Sequence, residues 1–342
     1  MRAVDGRIGA EAPAKEERAM AEERLREDDE RIAAELKGRD FLTLADYRPE
    51  ELRYLLRLAV ELKRKQKAGE TFQPLKGKTL GLIFEKSSTR TRVSFEVGMY
   101  QLGGYALFLS RNDIQMGRGE TVWDTAQTMS RYLDGLMIRT YAHRNVIELA
   151  RGATVPVING LSDFCHPCQE MADYLTIWEI KGRFEGVKLA YVGDGNNVAH
   201  SLMIGAAKFG LHFALACPEG YEPDRSFTEL AREVAEQTGA RIEIVRDPRE
   251  AVSGADFVYT DVWTSMGQEE EAEQRRKVFR PYQVNEQLVR YAKPDFRFMH
   301  CLPAHRGEEV TDDVIDGDHS IVFDQAENRL HAQKAILTAL MG

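Results

Sequence analysis

Residues 78–92, KTLGLIFEKSSTRTR, decide the fold. An apolar run ending at Phe84 passes into a knot of hydroxyls and cations. A pattern of helical period then begins at once with Val93, Phe95, Val97 and Leu102. A short unbroken apolar run is how a strand buried on both faces reads, so the segment is a strand, a turn and a helix. The same reading recurs outward from it. Residues 105–109, 135–138 and 155–158 complete one set of strands, and residues 187–192, 213–216, 242–245, 257–260 and 296–300 form a second. Stretches of helical period lie between them, the pattern of crossovers that build parallel sheets. The expectation is an α/β fold of two domains, each a parallel β-sheet flanked by helices, with the active site in the interdomain cleft.

At about 150 residues per domain, 342 residues make roughly two. Expected boundaries are a charged helical extension over 1–38, a first domain over 39–180 and a second over 181–324. A helix near 173–182 joins the domains, and a last helix over 325–342 returns to the first. In the extension, Leu25, Ile32 and Leu36 form only a thin apolar stripe before Gly38, and its acidic residues speak against a mitochondrial transit peptide. The chain is 43% hydrophobic and 30% charged, ordinary for a folded protein. A net charge of -9 opposes binding to nucleic acid, which draws its affinity from clustered Lys and Arg. No apolar run approaches the roughly 20 residues that span a bilayer, and a cytoplasmic protein is expected. Four cysteines in a chain of this length do not make a disulfide framework.

Ligands of open parallel sheets sit beyond the carboxyl ends of the strands, and every polar cluster falls at such an end. Ser88, Thr89, Arg90 and Thr91 stand at a helix start, where unpaired N–H groups and the helix dipole favour an anion. Hydroxyl donors and a planar guanidinium suit a small phosphate. The glycines and the Gly-Lys pair of a Walker A loop are missing. Arg139 follows the run at 135–138, and His166 and Gln169 follow the run at 155–158. Cys165 and Cys168 also read as C-x-x-C, but no second ligand pair follows at zinc spacing, and no metal is expected. The segment Gly193-Asp194-Gly195-Asn196-Asn197-Val198 begins like a dinucleotide fingerprint and fails at its third glycine, where Val198 stands. A nicotinamide enzyme is thereby disfavoured, and no cofactor is expected.

Residues 84–92, with Phe84-Glu85-Lys86-Ser87-Ser88-Thr89-Arg90-Thr91-Arg92, resemble the phosphate-binding signature of the aspartate and ornithine carbamoyltransferase family, with Ser87 where ornithine-using members often carry Pro. Four further segments resemble the family in order: the stretch from His166 to Gln169, the Asp194–Asn197 loop, the Asp261–Glu269 loop with its Ser265-Met266-Gly267, and His300-Cys301-Leu302-Pro303. The resemblance spans about residues 41–342. It implies that Ser88, Thr89, Arg90, Thr91, Arg139, His166, Gln169, Cys301, Leu302 and Arg329 hold carbamoyl phosphate. It implies that Asn197, Asp261, Ser265 and Met266 hold L-ornithine, whereas aspartate would need cations there. Arg139, His166, Asp261 and Cys301 are the expected catalytic groups, and the Leu302–Pro303 bond is expected to be cis.

The implied reaction is direct attack of the ornithine side-chain amine on the carbonyl carbon. Carbamoyl phosphate binds first, and the loop around Ser265 closes to exclude water. Putrescine carbamoyltransferase is the alternative activity. A non-catalytic relative that only senses these ligands is the other class, opposed by intact residues at every catalytic position. The resemblance further implies a homotrimer or a multiple of trimers, with Gln115 of the loop 113–117 completing a neighbour's site.

Overall fold

The computed structural model describes residues 11–116, 118–265 and 269–342, with no side-chain detail for residues 11–22 and Glu269. Among the described residues nine strands form: β1 (Thr79–Phe84), β2 (Tyr105–Ser110), β3 (Gly135–Arg139), β4 (Val157–Leu161), β5 (Lys188–Val192), β6 (His212–Ala216), β7 (Arg241–Val245), β8 (Phe257–Tyr259) and β9 (Arg297–Met299). The helices are α1 (Glu11–Leu36), α2 (Pro49–Lys67), α3 (Thr89–Gln101), α4 (Val122–Met129), α5 (His143–Gly152), α6 (Pro167–Lys181), α7 (Asn197–Phe209), α8 (Arg225–Thr238), α9 (Pro248–Val252), α10 (Ala272–Phe279), α11 (Glu286–Val289), α12 (Asp312–Ile315) and α13 (Val322–Met341).

All strands pair in parallel, in the order β2-β1-β3-β4 in one sheet and β7-β6-β5-β8-β9 in the other. The inner strands are buried along almost their whole length because helices cover both faces, which is why they read as unbroken apolar runs. Each sheet reverses its winding direction once. From β1 the chain goes to β2 on one side and then to β3 on the other; from β5 it goes to β6 and later to β8. Such a reversal leaves a crevice at the strand ends, between loops that diverge to opposite faces. The two crevices are therefore bounded by the residues after Phe84 and Arg139, and by those after Val192 and Tyr259.

Three elements differ from the sequence reading. β4 runs to Leu161, since Asn159 and Gly160, which look like a turn, continue the ladder; Asn159 is buried and its amide donates to the Leu42 carbonyl at 3.0 Å. The helix expected from 173 starts at Pro167, a residue suited to a first helical position because it has no N–H to satisfy. α13 starts at Val322, three residues before Gln325, and packs on α2, α3 and α6 of the first sheet's lobe. Among the described residues, no helix is long and apolar enough to cross a membrane.

Candidate active site

The turn after β1 delivers the first half of the site. Ser88 caps α3, its Oγ accepting the Thr91 N–H at 3.2 Å, a contact that stabilises a helix start by about 1 kcal/mol. The cap aims the free N–H groups of the first turn at the crevice, with Thr89 and Arg90 in that turn. Thr91 is fully buried and becomes the meeting point of two arginines: Arg329 Nη2 donates to its Oγ1 at 3.1 Å and Arg139 Nη1 at 3.5 Å. Arg329 comes from α13 and also donates to Gln169 Oε1 at 2.8 Å and to Gln333 Oε1 at 3.1 Å.

Arg139 and Arg329 are 7% and 2% exposed, yet among the described residues neither forms an ion pair. Buried charges are normally paired. Burial, then Arg329 and Arg90, bring the Arg139 guanidinium down to about 9, so it stays a cation at neutral pH under repulsion from its neighbours. A dianion placed among these groups would relieve that repulsion. His166 lies beside them at the start of α6, its backbone N–H held by Ser201 Oγ at 2.9 Å. Burial, and after it the arginines, push its imidazole well below the usual range, so it is neutral; its Nδ1 and Arg139 Nε are buried without a hydrogen-bond partner.

The second half comes from β5, β8 and β9. Asp261 follows β8 and accepts from Cys301 Sγ at 3.1 Å and from Asn196 Nδ2 at 3.0 Å. Burial, and next the Asp261 carboxylate, hold the Cys301 thiol well above its ordinary range. It is a neutral donor rather than a thiolate. Leu302 has φ 60° and precedes a cis peptide bond to Pro303, as expected, and its N–H is fixed by His300 Nδ1 at 2.8 Å. Asn197, at the start of α7, donates its amide to the Ser162 carbonyl at 2.7 Å and so ties the second lobe to the first.

A single cavity of about 400 Å³ gathers these groups: Ser88, Thr89, Arg90, Thr91, Arg139, His166, Gln169 and Arg329 on one wall, and Asn197, Asp261, Ser265, Cys301 and Leu302 on the other. Gln115 is not among them; it lies exposed on the loop after β2. Met266 lies outside the described residues. A larger opening of about 740 Å³, sharing Lys86, Asn197 and Ser265, adjoins it.

Sequence reasoning missed a buried polar layer behind the cavity. Asp173 accepts from Gln169 Nε2 at 2.9 Å, Gln325 Nε2 at 2.7 Å and the Tyr259 hydroxyl at 3.1 Å. Glu170, wholly buried, has neither carboxyl oxygen hydrogen-bonded. Burial, then Asp173, raises it well above the carboxylate range and keeps it protonated. The one signal in the sequence was the i, i+4 spacing of Gln169 and Asp173 on α6, which a solvent-exposed pair would share.

The arrangement joins a cationic pocket at a helix N-terminus to a carboxylate and neutral thiol across a narrow cleft. That is a place for a small phosphate ester beside an amine. The family model described as "Aspartate/ornithine carbamoyltransferase, carbamoyl-P binding domain" matches residues 39–179, and that described as "Aspartate/ornithine carbamoyltransferase, Asp/Orn binding domain" matches residues 185–340. The chain belongs to the aspartate/ornithine carbamoyltransferase family. Within it, the chain is 63% identical over 307 residues to an ornithine carbamoyltransferase of Anoxybacillus flavithermus, covering 90% of this chain and 98% of that one. It is 60% identical over 311 residues to one of Pyrococcus abyssi, covering 91% and 98%. The solved ornithine carbamoyltransferase of Pyrococcus furiosus superposes with a TM-score of 0.88 at 61% identity, covering 90% of this chain and 98% of the other. Carbamoyltransferases thus share both its halves and the order in which they follow.

Proposed function

We infer that the protein is an ornithine carbamoyltransferase, transferring the carbamoyl group of carbamoyl phosphate to the side-chain amine of L-ornithine and releasing L-citrulline and phosphate. The carrying observation is the pair of buried, ion-pair-free arginines facing Asp261 and Cys301 across one cavity. In this reading Ser88, Thr89, Arg90, Thr91 and Arg329 take the phosphate. Thr91, Arg139 and His166 surround the carbonyl oxygen, and Gln169 takes the amide. The amine nitrogen bonds to the carbonyl carbon, negative charge collects on the carbonyl oxygen, and the C–O bond to phosphate breaks as that charge returns. Fixed donors at that oxygen supply typically about 3 kcal/mol each. A neutral imidazole serves as such a donor without adding repulsion to a cationic pocket. Asp261 and Cys301 orient the amine and relay its proton: the Cys301 thiol passes its own proton to the Asp261 carboxylate as it takes the amine's, so that the proton ends on Asp261. A thiol held neutral is unsuited to forming an acyl-enzyme.

The relatives' names favour ornithine over putrescine, and so does the second wall. Asn197, Asp261, Ser265 and Met266 are assigned to the α-amino and α-carboxylate groups of ornithine, and putrescine lacks the carboxylate. A site built to bind a missing group discriminates by up to roughly 10⁴-fold. The test is kcat/KM for each amine at saturating carbamoyl phosphate: a preference for ornithine above about 100-fold is expected, and comparable values overturn the assignment of the amine.

The assembly we propose is a homotrimer, or a multiple of one, in a cytoplasmic enzyme whose domains divide near residue 180, with α13 returning to the first. Supporting it, β2 is a sheet edge that leaves Tyr105 and Leu107 exposed, and Tyr100 is 79% exposed on the adjoining α3, an apolar face of the kind subunits cover. The Gln115 loop springs from that edge. Mixing inactive Gln115→Ala subunits with inactive Arg139→Ala subunits should partly restore citrulline formation. No recovery after verified exchange refutes a shared site.

A further inference from the structure

Behind the cavity the polar side chains form a series rather than a cluster. Thr91 Oγ1 accepts from Arg329, and Arg329 donates to the oxygen of Gln169. The nitrogen of Gln169 donates to Asp173, which also accepts from the nitrogen of Gln325. The oxygen of Gln325 accepts the backbone N–H of His300 at 3.0 Å. His300 immediately precedes Cys301, and its ring accepts the Leu302 N–H, so the Cys301 turn is fastened to the far end of the series. Thr91, Gln169, Asp173, Gln325 and His300 are all fully buried or within 1% of it, where no water replaces a bond that slips.

The series has a direction built into it. Gln169 and Gln325 each use the amide oxygen on one side and the amide nitrogen on the other, so neither can turn over without losing both bonds. Asp173 takes both nitrogens on one oxygen, Oδ1, and the Tyr259 hydroxyl on the other. Displacement of Arg329 toward a bound anion therefore pulls Gln169, and through the shared oxygen it alters the hold on Gln325. Hydrogen bonds in series polarise and constrain one another in this way. A network serving only to glue α6, β8 and α13 together has no reason to begin at an anion-binding guanidinium and end at the turn that carries Cys301.

We propose that Asp173 and Gln325 are positioning residues that couple the two half-sites, so that carbamoyl phosphate held at Thr91 and Arg329 sets the Cys301 turn for the amine. The proposal rests on the carbamoyl-transfer reading. It assigns the coupling to side chains that line no part of the cavity and touch neither substrate.

The experiment measures linkage. L-Norvaline is ornithine without its reactive amine, so its dissociation constant can be measured with and without saturating carbamoyl phosphate. For the wild-type protein the first substrate should tighten norvaline by a factor in the usual range of about 5 to 150. Gln325→Met breaks the series while keeping length and volume. It should bind carbamoyl phosphate within about threefold of wild type, yet lose the tightening to within about twofold of none. Tyr259→Phe removes a hydroxyl that donates to Asp173 Oδ2 and accepts a second, longer bond from Gln325 Nε2 at 3.2 Å, but it keeps the Gln325–Asp173 bond and both ends of the series. It should keep most of the tightening; a role in stability alone would make the two variants alike in linkage. Retained tightening in a folded Gln325→Met protein overturns the proposal. If that variant does not fold, Asp173→Leu, which removes the oxygen that both glutamine nitrogens share, is titrated in its place, and retained tightening there overturns it equally. Failure of the wild-type protein to bind carbamoyl phosphate or norvaline at all instead refutes the reading on which the proposal rests. Binding of both without any tightening refutes the proposal alone.

Discussion

Across the cavity the first wall presents Arg90, Arg139 and Arg329 around a buried threonine, whereas the second presents Asp261, Cys301, Asn197 and Ser265. The first is preset: the Arg139 and Arg329 guanidiniums are held by the neutral acceptors Thr91, Gln169 and Gln333 on α3, α6 and α13, and mutual repulsion keeps them receptive to an anion. The second is nearly neutral, with one carboxylate already bonded to a thiol and an amide. On the proposed assignment, the contrast places the selectivity for each substrate in a different physical effect. Charge draws the phosphate, but a zwitterionic amine is chosen by the placement of single donors and acceptors.

The largest effect that sharpens this contrast is expected at Arg139. Arg139→Ala removes a cation from the wall where oxyanion charge develops, and kcat should fall by about 100- to 1000-fold. Citrulline formation at saturating substrates measures it, and a loss below tenfold would move the oxyanion contact elsewhere. Next comes Arg90→Ala, which removes a charge-assisted phosphate contact and should weaken carbamoyl-phosphate binding by about 1.5 to 3 kcal/mol. Calorimetry showing unchanged affinity would mean that the helix start is a solvated cap.

The smallest effect concerns the seam between the walls. Burial, offset by its three donors, brings the Asp173 carboxyl from 3.8 up to about 7. Because the folded value is the higher one, the folded state holds this proton more tightly. The resulting stabilisation is complete below about pH 4 and is lost as pH rises through about 7, with a slope of at most about 1.4 kcal/mol per pH unit. Asp173→Asn should lack this component, so denaturation midpoints of wild type and variant should converge or cross between pH 5 and 7. Parallel pH profiles would show that Asp173 does not titrate in that window.

Much of this was legible in the residues. The inner strands read clearly because burial on both faces leaves no polar alternation to confuse, and the edge strands β2 and β7 read as strands from their short apolar runs although they are partly exposed. Thirteen expected site residues meet at one cavity because strand ends are fixed once strands are. Where reading stopped short, the cause was local chemistry overridden by packing. Asn159 and Gly160 resemble a turn until the Leu42 carbonyl satisfies the asparagine. Asp173, Gln325 and Glu170 stayed hidden because a buried polar residue on a helix is spaced like an exposed one, and only the partners brought together from α6, β8 and α13 tell them apart. Gln115 was legible as a loop residue, and it lies exposed and outside the cavity.

Arg329 reaches the first lobe from α13, which follows the whole of the second lobe in the chain. Ribosomes deliver segments in sequence order, and leading domains tend to fold as they emerge. Here the leading lobe can form its sheet early, but the guanidinium that grips Thr91 arrives only after the second lobe has been made. A nascent first lobe is therefore a weak trap for carbamoyl phosphate, and the reactive ligand is captured in full only by a chain that already carries the residues to use it.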